Sequence, residues 1–163
     1  MISTDLNRSL PSLFSELVFG APEHGAYVLN PKDAGLLKSL DDLSAAQASM
    51  ASHGGATIAA HAEHLRYGLS LMNRWAAGEN PFTDADWTAA WKRTTVSDAE
   101  WREVRAGLRN EIERWHASLQ EPREVNGIEL DGAIGSIIHL AYHLGAIRQI
   151  EPRMRGPKAT ESA

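Results

Sequence analysis

The chain has 163 residues, 43% of them hydrophobic, which is enough for one domain with a substantial core and too little for two comfortable ones. Its formal charge of −5 and pI near 5.8 disfavour a binder of nucleic acid or of an anionic membrane, because such surfaces need a clustered positive field and here Lys and Arg are scattered among acids. Without cysteine there is no disulfide framework, no thiolate metal site and no cysteine nucleophile, so any thiol chemistry must use an external thiol.

Met1 to Leu13 lacks a basic run followed by an apolar core, and no run of about 18 consecutive apolar residues occurs, so a soluble, cytoplasmic protein without a membrane partner is expected. The first helical pattern is Leu6, Leu10, Leu13 and Leu17, with Ser3 or Thr4 as its cap. Pro11 removes an amide and clashes one turn back, so this helix is expected to start at Pro11 or to kink there. Gly20 to Lys32 reads as a loop. Asp33 can cap a second segment with Leu36, Leu37, Leu40, Leu43 and Met50 on one flank, closed by Gly54-Gly55.

Ala56 to Gly78 is the next helix. Ile58, Leu65, Leu69, Met72 and Ala76 fall on one side of its wheel, and Glu63, Arg66, Ser70, Asn73 and Arg74 on the other. His61 lies near the apolar centre and His64 on its flank, beside Leu71 and Trp75. Phe82 to Thr95 is a connection with a short helical turn around Trp87 and Trp91. Ser97-Asp98-Ala99-Glu100 reads as a capping box, and Trp101, Val104, Leu108, Ile112, Trp115 and Leu119 then keep the spacing of a buried seam. Pro122 and Asn126-Gly127 end that helix, and the last helix is expected from near Asp131 with Ile137, Leu140, Leu144 and Ile147 in the core. The expected fold class is all-α, one domain over 1–155, with a disordered tail over 156–163.

His139 and His143 stand four apart on the last helix, so both imidazoles leave the same side. That spacing lets two ring nitrogens reach one ion at the roughly 2.0–2.1 Å expected for zinc. A third ligand is still needed, and His61 and His64 are the candidates. One histidine on an apolar helix face is usually a core residue bonded to a neighbour, but a pair with a third on a similar flank favours metal. His61 could replace His64, supply a fourth ligand or orient another ring. His24, His53 and His116 look incidental. Trp101 and Trp115 are read as core, whereas Trp75, Trp87 and Trp91 include a candidate pocket wall.

The pattern Thr57-Ile58-x-x-His61-x-x-His64-Leu65, followed by His139-x-x-x-His143-x-Gly145-x-Ile147, resembles the DinB/YfiT-like superfamily of metal-binding helical bundles. The resemblance runs roughly from the second segment to Ile150. It implies a four-helix bundle with a long crossover, here Phe82 to Thr95, plus an N-terminal helical extension. It also implies a divalent ion, zinc or nickel, held by His64 with His139 and His143. Many relatives carry a glutamine directly after the glycine that stands two residues past the last histidine, where this chain has Ala146 after Gly145.

Three histidines leave coordination positions open, the mark of a catalytic rather than a structural ion. The resemblance therefore implies a metal-dependent enzyme of S-transferase or hydrolase type, activating water or a low-molecular-weight thiol against a small-molecule substrate. The alternative is a non-catalytic metal- or small-ligand-binding bundle. A general acid or base would come from Glu63, Asp131 or metal-bound water, with Glu63 discounted for lying on the polar side. A homodimer paired through exposed helix faces stays open.

Overall fold

The computed structural model describes residues 3–51, 54–122 and 126–154, and every regular element among them is helical. Four helices are long: α1 (Ser3–Phe19), α4 (Ile58–Ala76), α5 (Asp98–Gln120) and α6 (Gly127–Ile150). Two short ones, α2 (Leu36–Asp41) and α3 (Ala45–Ala48), lie between α1 and α4. α4 packs on both α5 and α6, and α1 packs on the same two helices. The expected loop at His53 and the tail over 156–163 lie outside the described residues.

α1 runs through Pro11, where a start or kink was expected. Tertiary burial outweighs the lost amide: Pro11 itself is buried, followed by Phe14, Leu17 and Val18 against the core. The loop after α1 is tied by Glu16, whose buried carboxylate accepts the amides of Tyr27, Val28 and Leu29 at 3.0, 2.7 and 2.6 Å. Burial pushes this carboxyl up, and the three amides overcome that and hold it below the usual range. The loop closes where Gly20 bridges Ala34. A Cβ on Gly35 would stand 2.4 Å from the Gly20 amide nitrogen, so only glycine allows this approach.

Asp33 does not cap the following helix. Its carboxylate pairs with Arg148 of α6 at 2.8 and 3.1 Å, and Gly35 occupies the cap position. A long-range cation thus outcompetes a local amide for the same carboxylate. The second segment is also two helices rather than one, because Ser44 forms a capping box with Gln47 and starts α3 afresh. Met50, expected on the core flank, is exposed.

α4 begins two residues later than expected, because Thr57 caps it by accepting the Ala60 amide. Its polar face is not simply solvated: Asn73 is buried and donates to the Glu111 carbonyl at 3.0 Å and to the Glu111 carboxylate at 2.7 Å on α5. The Ser97–Glu100 capping box starts α5, and all six seam residues are buried. Trp101 donates to the Leu43 carbonyl and Trp115 to Ser136 Oγ, both at 2.9 Å.

α6 starts four residues before Asp131. Asn126, read as a breaker, is its N-cap and forms a capping box with Glu129. The early turns were illegible because α6 is apolar on both sides: Leu140, Leu144 and Ile147 are buried, while Ile128, Ile138 and Tyr142 are exposed. By length and composition alone α6 could cross a bilayer, with mean hydropathy 1.2 over its window, a test that core helices of soluble proteins also pass. No unbroken apolar run announced this.

Candidate metal centre

Four histidines meet where α4 faces α6. His64 Nε2 lies 3.0 Å from His139 Nε2, and His139 Nε2 lies 2.9 Å from His143 Nε2. On the far side of the His143 ring, Nδ1 lies 2.8 Å from His61 Nδ1. One nitrogen from each of His64, His139 and His143 lies within 4.8 Å of the others, and this is the metal-competent cluster among the described residues. His64 and His143 are buried and His139 is half-buried.

The helices place these rings for local reasons. On α6 the i, i+4 step stacks His139 below His143 on the face turned to α4. On α4 the cap at Thr57 sets the start of the helix, and Ile58 to Leu65 are buried without interruption, so a histidine at 61 or 64 cannot reach bulk water. The connection between α4 and α5 closes the third side. Asp86 accepts the amides of Thr88 and Ala89 and the Thr88 hydroxyl, which shapes the turn Ala89–Trp91. Tyr67 of α4 accepts the Asp86 amide at 2.8 Å, and Thr57 donates to the Thr94 carbonyl at 2.8 Å, so both ends of the turn are tied to α4.

The turn sets Trp91 on the cluster. Its ring stacks on His64 at 4.3 Å and 25° and meets His61 edge-on at 5.2 Å. Trp87 approaches His64 at 5.7 Å and packs edge-on against Tyr67. Trp75 is elsewhere, against Phe82 and over Gly132. Of the three tryptophans left open by the sequence, Trp91 is the one that touches the most histidines, and nothing in helical spacing could have singled it out because it lies on a non-repetitive connection.

The electrostatics suit a cation. Burial lowers the His64 imidazole to about 4, helped by the neighbouring His139 and His61, and lowers His143 to about 3, helped by His139, His61 and His64. Burial also lowers His61 and His139. All four rings are therefore neutral near pH 7, with lone pairs free of proton competition.

The spacing fits as well. Two nitrogens bound at about 2.05 Å stand about 2.9 Å apart when at right angles and about 3.4 Å apart at the tetrahedral angle. The separations through His139, 2.9 and 3.0 Å, are of that size. His139 Nε2 faces two other Nε2 atoms at once, and a neutral ring nitrogen offers at most one proton, so such a meeting needs a shared proton or a cation. His64 Nδ1 is buried without a partner, and stacking on Trp91 rather than a hydrogen bond holds that ring.

The acid–base candidates fall outside the cluster. Glu63 is buried but committed to Arg66, 3.0 Å from its Nε, and Asp131 is exposed. His116 packs against Phe14 and Phe19, and His24 is exposed. No protein-family model, no curated protein and no solved structure matches this chain.

Proposed function

We propose that this is a divalent-metal protein whose His64, His139 and His143 hold an ion of the zinc or nickel class through their Nε2 atoms, in a DinB/YfiT-like four-helix bundle. The bundle is α1, α4, α5 and α6, and Phe82 to Thr95, in the connection between α4 and α5, is its long crossover. The observation that carries the reading is the convergence of the His64 and His143 rings, both buried, on the half-buried His139, at 3.0 and 2.9 Å from its Nε2. Three protein ligands leave room for an exchangeable one.

The chain's own residues then have distinct tasks. With Nε2 of His143 given to the ion, its hydrogen sits on Nδ1 and is donated to His61 Nδ1, so His61 fixes the tautomer and ring angle of His143. Trp91 holds the angle of the His64 ring by stacking, and Trp87 covers the same ring from one side. The bound ion would supply Lewis acidity toward water or a low-molecular-weight thiol, and so support an S-transferase or hydrolase reaction on a small molecule. The absence of a free carboxylate in the cluster, among the described residues, favours the second reading, a non-catalytic metal- or ligand-binding bundle.

Counting metal in protein purified without a nickel column tests the site. About one ion per chain is expected, lost in His64→Ala, His139→Ala and His143→Ala and mostly kept in His61→Ala; no stoichiometric ion in the unaltered chain would overturn the reading. Turnover of a chlorobimane with candidate thiols separates enzyme from binding protein.

A further inference from the structure

Beside the histidine cluster, α4, α6 and the α4–α5 connection line a half-open cavity of about 290 Å³. Leu65, Leu69, Met72 and Leu140 form its walls with the rings of Phe82 and Trp87. Among the described residues that line it, none is Asp, Glu, Lys or Arg. A charged guest would therefore lose its hydration without compensation, at a cost of several kcal/mol or more. The volume is roughly twice the ~150 Å³ of an apolar cavity that admits benzene.

Besides the Trp87 indole, two polar side chains reach this space, and one is already saturated. Ser136 Oγ accepts from Trp115 Nε1 at 2.9 Å and donates to the Ala133 carbonyl at 2.7 Å. His139 is the other. Its Nε2 is engaged in the cluster, while its Nδ1 has no hydrogen-bond partner among the described residues. The Cε1–Nδ1 edge of the ring lies beside Gly68, where a Cβ would stand 3.6 Å from Cε1 and 3.8 Å from Nδ1. With the Nε2 lone pair engaged, by an ion or by the N–H of a neighbouring ring, the hydrogen of His139 rests on Nδ1. The cavity thus offers apolar walls and, beside the Trp87 indole, one imidazole donor.

Two glycines shape it differently. A Cβ on Gly132 would strike Trp75 at 2.5 Å, so glycine there serves packing. A Cβ on Gly135 meets nothing within 4 Å, and this residue can be enlarged into the cavity mouth.

We propose that this cavity binds a compact, uncharged, mainly apolar molecule with one hydrogen-bond acceptor, an aromatic ketone or ester in type, which receives the Nδ1–H of His139. The inference deepens the metal reading by naming the class of molecule presented to the site, and rests on it only for what happens after binding. A thiol or other charged co-reactant would have to approach from outside the cavity.

Calorimetric titration of the full chain with three matched probes tests this: propiophenone, propylbenzene and 3-phenylpropanoate. Propiophenone should saturate one site per chain. Propylbenzene, which lacks the acceptor, should bind about fivefold more weakly. The carboxylate should bind at least about thirtyfold more weakly. Gly135→Leu should abolish propiophenone binding, and Gly68→Ala, whose methyl would meet Trp87 at 3.5 Å, should weaken it in a protein less altered at its surface. Equal binding of ketone and hydrocarbon, binding of the carboxylate as tight as the ketone, no saturable site, or no loss in either variant would each overturn the proposal. Metal counted in the same samples separates the two readings: an ion kept in Gly135→Leu while propiophenone is lost supports the cavity, and so does propiophenone kept in His64→Ala while the ion is lost.

Discussion

Both indoles that α5 carries into the core donate to an oxygen, Leu43 and Ser136, whereas along the α4–α6 seam nitrogens face nitrogens and His64 Nδ1 is buried without a partner. The two seams have similar burial but opposite polar bookkeeping. Structural interiors satisfy their donors, because an unpaired buried polar group costs about 1–3 kcal/mol. Converging ring nitrogens of this kind suit a cation, which is the reading proposed above. The same contrast separates Ser136, closed on both sides, from His139, with one nitrogen to spare beside a cavity.

Substitutions can break or sharpen that contrast. The largest effect is on the ion: His139→Ala, which removes the nitrogen common to both short contacts, should abolish stoichiometric metal while leaving the helical circular dichroism close to that of the parent. On the other seam, Trp115→Ala should cost about 3–5 kcal/mol in chemical denaturation. Its ion content should persist while it remains folded. A smaller effect is expected at the rings that only orient ligands. His61→Ala and Trp91→Ala should keep the ion on purification yet bind it about 10–100-fold more weakly in chelator competition. If either lost no affinity, the hydrogen bond at 2.8 Å and the stacking at 4.3 Å would be packing alone.

The smallest effect lies away from both seams, at Glu16. Its folded carboxyl is held below the ordinary value, so its contribution is present above the ordinary carboxylate range and lost as pH falls through the folded value. Glu16→Gln should destabilise by about 1–2 kcal/mol at neutral pH. It should also flatten the acid limb of a plot of stability against pH, and an unchanged limb would show that the loop is held by other bonds.

How far the fold could be read without coordinates depended on how strongly periodic each stretch is. The α5 seam is a strict series of steps bounded by a capping box, and every member is buried. The start of α6 was missed because that helix is apolar on two sides and Asn126-Gly127 serves equally well as a turn or as a cap. Asp33 was misassigned for a different reason. Its partner, Arg148, is 115 residues away, and no local rule competes with a bidentate contact that the chain makes only after folding. Glu16 gave no signal at all, since its partners are three backbone amides in a loop.

The amino-acid order by itself determined that the chain is helical, where α5 begins, and that His139 and His143 share one face, because caps and i, i+4 spacing are properties of a single helix. Only the tertiary structure decided that His64 and not His61 shares Nε2 contact with His139, that His61 turns instead to the back of His143, and that Trp91 lies on the cluster. Those outcomes depend on how one helix is rotated against another and on where a connection is tied down. Rotation of that kind is set by the packing of the whole core, which no segment of the chain encodes alone.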